Sequence, residues 1–366
     1  MDSLGLYIHI PFCDGKCNYC DFYSFKATHG ELDNYTDILT KQIKAWGLKL
    51  NNRILDTIYF GGGTPSLLGT KRLVTIIKTV CKHFKITADC EITLEANPSS
   101  ATDLSFSELK NNGFNRVSLG MQSSIDSELK LLGRRHIKED VINSVNNIKN
   151  SGINNISLDV MLGIPDQTES SLLKTLDFCI SLDVPHISTY MLTIEPETIF
   201  GKSTDKYKFA DDDMQAKLYL LTADYLKKHG FEHYEISNFC TNGKSSNHNM
   251  RYWELKDYLG LGPSAHSLLD GKRFYYPKNI EDFKNNRIIN DGKGKTPDEY
   301  IMLMMRTNKG VDISEYETMF NIKLSDNFYR KAHTYEKHGY IIIDDNSIRL
   351  TEKGFLLSNT IIADLI

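Results

Sequence analysis

No apolar run in the 366-residue chain approaches the roughly 18 residues that a membrane-spanning helix needs, so no membrane span is expected. An excess of positive charge is also missing. The net charge of −4 offers no long-range attraction to nucleic acid or anionic lipid. The opening residues Met1-Asp-Ser-Leu hold no basic segment and lead straight into a strand-like stretch, so no signal peptide is expected. Cysteine is scarce, seven in all and without paired spacing, which fits a reducing compartment and points to the cytoplasm. What remains is ordinary for a globular chain, long enough for a sizeable core and a second, smaller domain.

Three of those cysteines crowd into one stretch, Pro11-Phe-Cys-Asp-Gly-Lys-Cys-Asn-Tyr-Cys-Asp21, directly behind the apolar run Leu4–Ile10. Cys13, Cys17 and Cys20 are spaced C-x3-C-x2-C, too closely for a disulfide framework. Gly15 and the short polar residues allow a wrapped loop that turns the three sulfurs toward one centre. Thiolates are the usual ligands of iron–sulfur clusters, and three of them on a four-iron cubane leave one iron free for chemistry. Two other readings stand beside this one. A zinc site would need a fourth ligand, from His9, Cys81 or Cys240. A chance gathering of thiols in a buried turn is the other.

The stretch Tyr7-Ile-His-Ile-Pro-Phe-Cys13, with Cys17-Asn-Tyr-Cys20-Asp-Phe22, resembles the cluster loop of radical S-adenosylmethionine (SAM) proteins. It is most similar to the branch holding oxygen-independent coproporphyrinogen III oxidase and its relative, the heme chaperone HemW. The resemblance implies a [4Fe–4S] cluster on Cys13, Cys17 and Cys20, with SAM chelated at the open iron. In that family an electron from the reduced cluster splits the sulfonium and releases a deoxyadenosyl radical.

Along the chain, strand-like runs (54–60, 90–96, 116–120, 153–162, 186–192) alternate with helical patterns (32–50, 70–84, 104–112, 126–132, 138–150, 169–182). With the run before the cysteines this makes six strand-then-helix units. They predict an α/β fold with a curved parallel sheet, a partial (β/α)6 barrel. Ligand-handling residues of such folds collect where strands end at their carboxyl side. There lie the cysteine loop, Gly61-Gly62-Gly63-Thr64-Pro65, Glu95, Gln122, Asp159 and Thr193. Three glycines let a backbone approach a ligand closely. A sharp strand-to-helix turn is the other reading, and on sequence grounds it needs only one or two. By resemblance this is the SAM motif (Gly62, Gly63 and Thr64), and Tyr7, Tyr19, Glu95, Gln122, Arg134 and Asp159 match SAM-contacting positions. Arg134 and Asp159 could equally form a structural ion pair.

Further on, a helix is expected over 211–229, a strand over 231–237 and an Asn-rich loop over 238–253. The barrel is expected to occupy 1–270, followed by a linker over 271–295. Residues 296–366 read as a winged-helix-like α+β domain: helices over 300–306, 313–320 and 328–337, then a hairpin and a last helix. Their 8 Lys/Arg against 11 Asp/Glu oppose nucleic-acid binding and favour a lid or packing role.

Two features separate the branches of the resembled family. The decarboxylating oxidase carries a fourth cysteine two residues after the third, where this chain has Phe22. His248-Asn-Met-Arg-Tyr252-Trp253 matches the His-Asn-x-x-Tyr-Trp motif of the chaperone branch, absent from the oxidase. An imidazole is a competent axial ligand for heme iron, and the flanking rings offer flat surfaces to a porphyrin. A solvated or hydrogen-bonded scaffold histidine is the other reading. The resemblance implies binding of heme and its transfer to an unidentified acceptor protein, and it is compatible with a homodimer. Coproporphyrinogen oxidase activity is not expected, whereas SAM cleavage stays chemically open.

Overall fold

The computed structural model describes residues 3–366. Six strands, β1 (Ser3–Ile10), β2 (Ile54–Gly62), β3 (Lys85–Ala96), β4 (Arg116–Gln122), β5 (Asn155–Leu162) and β6 (His186–Met191), pair in parallel in chain order. Side chains alternate across each strand. On β1, Leu4, Leu6, Ile8 and Ile10 are fully buried and join the core that also contains Leu32, Leu39 and Ile43 of the helix His29–Lys49. The other face is polar and aromatic: Tyr7 on β1, Thr57 and Tyr59 on β2, Glu91 and Glu95 on β3, Arg116 on β4, Asp159 on β5. Tyr7 reaches Tyr59 and His248 on this side, while Glu95 and Asp159 feel one another's charge. That convergence requires the sheet to curl, giving the expected partial barrel.

The sheet is wider than six strands. Beyond β6 lie β7 (Glu232–Glu235) and β8 (Asn238–Cys240), an antiparallel pair. On the far side of β1 come β9 (Tyr258–Leu261), parallel to it, then antiparallel β10 (His266–Leu269), β11 (Lys272–Tyr275) and β12 (Ile289–Lys293). The linker expected over 271–295 therefore holds two strands of this sheet with a short helix, Ile280–Lys284, between them. Gly271, at φ +73°, makes the tight turn from β10 to β11, and Asn286, at φ +53°, follows the end of that helix. The loop expected over 238–253 is likewise structured: it opens as β8 and contains the helix Asn247–Trp253. Ser246 starts that helix by accepting from the Asn249 N–H.

At the chain's end β13 (Val311–Asp312), β14 (Ile341–Ile343) and β15 (Ser347–Leu350) form a small antiparallel sheet among helices. This part is stitched to β7 and the turn after it by backbone bonds, Ile236 N–H to Arg306 O at 2.9 Å and Asn308 N–H to Tyr234 O at 3.0 Å. Among the described residues no helix is long and apolar enough to cross a membrane.

Candidate functional site

The cysteine loop leaves β1 at its carboxyl end and closes on itself, with the Cys13 N–H donating to Phe25 O at 3.0 Å and the Phe25 N–H to Pro11 O at 3.1 Å. Phe12, buried, anchors it edge-on against Phe25 and Tyr35. Asn18 pins the other limb through its backbone N–H to Leu132 O and its amide to Leu131 O at 2.8 Å. All three thiols are free and half-buried, and they face one cavity of about 590 Å³ at the carboxyl ends of the parallel strands.

The three glycines have a structural reason that the sequence did not suggest. A Cβ on Gly62 (φ +115°) would meet the His9 ring at 2.7 Å, and one on Gly63 would meet the carbonyl oxygen of Phe12 at 2.5 Å. One on Gly61 would crowd Tyr7, Tyr59 and Glu95. The cysteine loop thus rests directly on the end of β2. Gly63 N–H donates to Ile10 O and Thr64 N–H to Phe12 O, while the Thr64 hydroxyl lies 3.3 Å from Cys13 Sγ.

Tyr19, Gly62, Gly63, Thr64 and Glu95 line the cavity, as do Gln122, Arg134, Asp159 and Thr193. Gln122 is held at φ +69°, an unusual conformation for a residue other than glycine, just past a break in the β4–β5 register. Arg134 donates to Gly120 O at 2.7 Å and Asn97 Oδ1 at 3.1 Å, and it approaches Cys17 Sγ at 3.7 Å. Asp159 accepts from the Ser118 hydroxyl at 3.1 Å. Arg134 and Asp159 are therefore not the ion pair that the sequence left open; each keeps capacity toward the cavity. Tyr7 is not on the cavity wall. It sits a layer deeper, its hydroxyl on His9 Nδ1 at 3.0 Å.

This donor set fits the group that the loop implies. His9, Cys81 and Cys240, the candidates for a fourth zinc ligand, do not line the cavity. Three thiols on one wall, with carboxylates and a guanidinium around them, suit a three-thiolate cluster beside a zwitterionic ligand.

Burial pushes the Glu95 carboxyl up to about 7, against the pull of hydrogen bonds from the Tyr59 hydroxyl (2.8 Å) and the Gly62 N–H (3.2 Å). Burial likewise raises Asp159 to about 6, partly offset by Ser118 and Arg116. A carboxyl with a raised folded pKa holds its proton more tightly when folded. Ligand-free protein should therefore lose stability as pH rises from about 4.5 through about 7. For Glu95 the loss is at most about 3 kcal/mol, reduced by water in the cavity. Thermal midpoints at pH 5 and pH 8 should differ less in Glu95→Gln than in the unsubstituted protein, and equal differences would remove the basis for this.

His248 lies elsewhere. It is 1% exposed, toward the amino-terminal ends of β2 and β3. Its Nδ1 pairs with the Thr57 hydroxyl at 2.9 Å and its Nε2 with the Tyr252 hydroxyl at 2.8 Å. The N–H groups of Asn247 and His248 both donate to Glu91 at 3.1 Å. Burial lowers the imidazole to about 3, helped by Arg251 and Arg116, so the ring is neutral. In this arrangement His248 is a hydrogen-bonded interior residue, and its ring is not on the wall of the cysteine cavity. Sequence reasoning missed Tyr59, Glu91 and the fully buried Arg116. Polar residues at every second position of otherwise apolar strands were the available signal.

Residues 7–179 match the model of the radical SAM superfamily, and residues 297–357 match that of the HemN C-terminal domain. The heme chaperone HemW of Lactococcus lactis is 30% identical, over 97% of this chain and 95% of its own. That of Bacillus subtilis is 31% identical over 97% of each, and that of Escherichia coli 38% identical over 73% of this chain and 70% of its own. The solved structure of coproporphyrinogen III oxidase (HemN) from Escherichia coli, a radical SAM enzyme, superposes with a TM-score of 0.85 at 22% identity, covering 100% of this chain and 90% of that one. At that identity the likeness is one of fold. With its three-thiol loop, its parallel curled sheet and relatives matched along nearly its whole length, the chain belongs to the HemW family of radical SAM proteins.

Proposed function

We propose that this chain is a heme chaperone: it binds heme and passes it to an acceptor protein, with a [4Fe–4S] cluster and SAM held at the cysteine cavity. The observation that carries this reading is near-full-length similarity to proteins named heme chaperones. When bound, the cluster would supply an electron and an open coordination position. The chain's own part is positional. Cys13, Cys17 and Cys20 present thiolates from one loop. Gly62, Gly63 and Thr64 shape the wall against it. Glu95 and Asp159 accept hydrogen bonds from hydroxyls or an amine, and Gln122 and Arg134 offer donors. For His248 to ligate heme iron, its Nε2 must first give up the Tyr252 hydroxyl, because both nitrogens are engaged. Met250, Arg251 and Asn247 beside it line a second cavity of about 490 Å³, and this is the direction in which the helix could open.

Hemin titrated into anaerobically reconstituted protein should give a saturable Soret shift. In His248→Ala the affinity should fall at least about tenfold, equivalent to 1.4 kcal/mol. No saturable shift in the unsubstituted protein would end the reading, and an unchanged affinity in His248→Ala would end the role of that ring. The alternative, oxidative decarboxylation of coproporphyrinogen III, is disfavoured by Phe22. It stands 68% exposed at the cavity's rim, where the oxidase branch places a further cysteine.

A further inference from the structure

The cysteine cavity and the His248 helix lie toward opposite ends of the barrel, yet one side chain touches both. Tyr59, buried on β2, donates its hydroxyl to Glu95 on the cavity wall at 2.8 Å. Its ring stacks on the His248 imidazole, with centroids 5.1 Å apart and planes 25° from parallel. Tyr7 from the neighbouring strand lies against both rings, 6.2 Å from Tyr59 and 6.4 Å from His248. Thr57, two residues earlier on β2 and on the same face, holds His248 Nδ1.

The adjacent strand repeats the arrangement. On β3, Glu95 faces the cavity, and Glu91, about 13 Å earlier along the strand, holds the N–H groups of Asn247 and His248. Each of these two strands thus carries one group for each end of the barrel. We infer that Tyr59 is a positioning residue that couples the two ends, so that a ligand donating hydrogen bonds to Glu95 changes the affinity for heme at His248.

The physical step is a competition at one carboxylate. A ribose hydroxyl or amine that donates to Glu95 displaces or reorients the Tyr59 hydroxyl. The ring that carries this hydroxyl packs against both Tyr7 and the His248 imidazole, so its shift is felt at the imidazole. Linkage makes the effect reciprocal: whatever SAM does to heme affinity, heme does to SAM affinity by the same factor. The inference rests on the heme-chaperone reading.

The test is a hemin titration of reconstituted protein with and without saturating SAM, followed by the reverse titration of SAM with and without hemin. The unsubstituted protein should show a change of about fivefold or more in hemin Kd, and Tyr59→Phe, which removes only the hydroxyl, should bring that ratio to about one while both ligands still bind. Absence of hemin binding in the unsubstituted protein would overturn the functional reading and this inference with it. Binding of both ligands with a ratio of one in the unsubstituted protein, or an undiminished ratio in Tyr59→Phe, would overturn the coupling alone. A thermal midpoint within a few degrees of the unsubstituted protein separates lost coupling from lost folding.

Discussion

Replacing Cys13, Cys17 or Cys20 by alanine should abolish incorporation of iron and sulfide in anaerobically reconstituted protein, from about four irons per chain to background. The effect is all-or-none because no other thiol can take over. Cys90, Cys179 and Cys240 are buried away from the cavity, and Cys81 is exposed on the helix Gly69–His83. A cubane held by two thiolates has two iron corners without a protein ligand and is expected to be lost on gel filtration. Iron and sulfide analysis, with the cluster's broad visible absorption, reads the result directly. Retention of a full complement of iron and sulfide in any of the three variants would mean that the cluster is seated elsewhere. The same measurement on Cys240→Ala should show no loss.

Much of this site is legible in the sequence because its determinants are local. The cysteine spacing, the glycine run and the strand-ending residues Glu95, Gln122 and Asp159 each sit within a few residues of the element boundary that positions them. Alternation and helical spacing then bring those boundaries to one edge of the sheet. The surroundings of His248 are not local. Its two hydrogen-bond partners come from β2 and from its own helix, and the carboxylate at the start of that helix comes from β3. A motif that reads as a loop is therefore a short helix with His248 and Arg251 buried. The strands within 271–295 are hidden for another reason: β11 and β12 are four and five residues long, are separated by a short helix and bury little, so no apolar alternation marks them. The glycine run has a second reason that no turn rule reveals: a Cβ at Gly61 or Gly62 would meet side chains of the neighbouring strands, and one at Gly63 would meet the cysteine loop. Contacts of that kind are properties of the tertiary fold and leave no mark in a single sequence.

Arg251, an unspecified position of the His-Asn-x-x-Tyr-Trp motif, should prove the most costly residue of that helix to remove. It is 3% exposed. Its guanidinium donates to Asp56 Oδ2 at 2.6 Å, to Ser3 O at 3.0 Å and to Asp257 O at 2.8 Å, tying the helix to β1, β2 and the turn before β9. Gly5 makes the room, since a Cβ there would lie 2.7 Å from Arg251 Cδ. Removing one partner of a buried ion pair leaves an uncompensated charge, at about 3–5 kcal/mol. Asp56 is partly exposed, so water recovers some of this and the lower end applies. Arg251→Ala should therefore lower the thermal midpoint by roughly 4 °C, whereas Asp56→Asn, which keeps an acceptor, should cost less. A double-mutant cycle between the two positions isolates the pair. A coupling below about 0.5 kcal/mol, the level seen for exposed pairs, would mean that the contacts to Ser3 O and Asp257 O carry the effect. Because the same helix holds His248 between Thr57 and Tyr252, the substitution should also disturb the imidazole's setting. Hemin affinity in Arg251→Ala is expected to change along with stability, in contrast to the selective loss in His248→Ala, where the helix's anchoring to Asp56 and Asp257 is untouched.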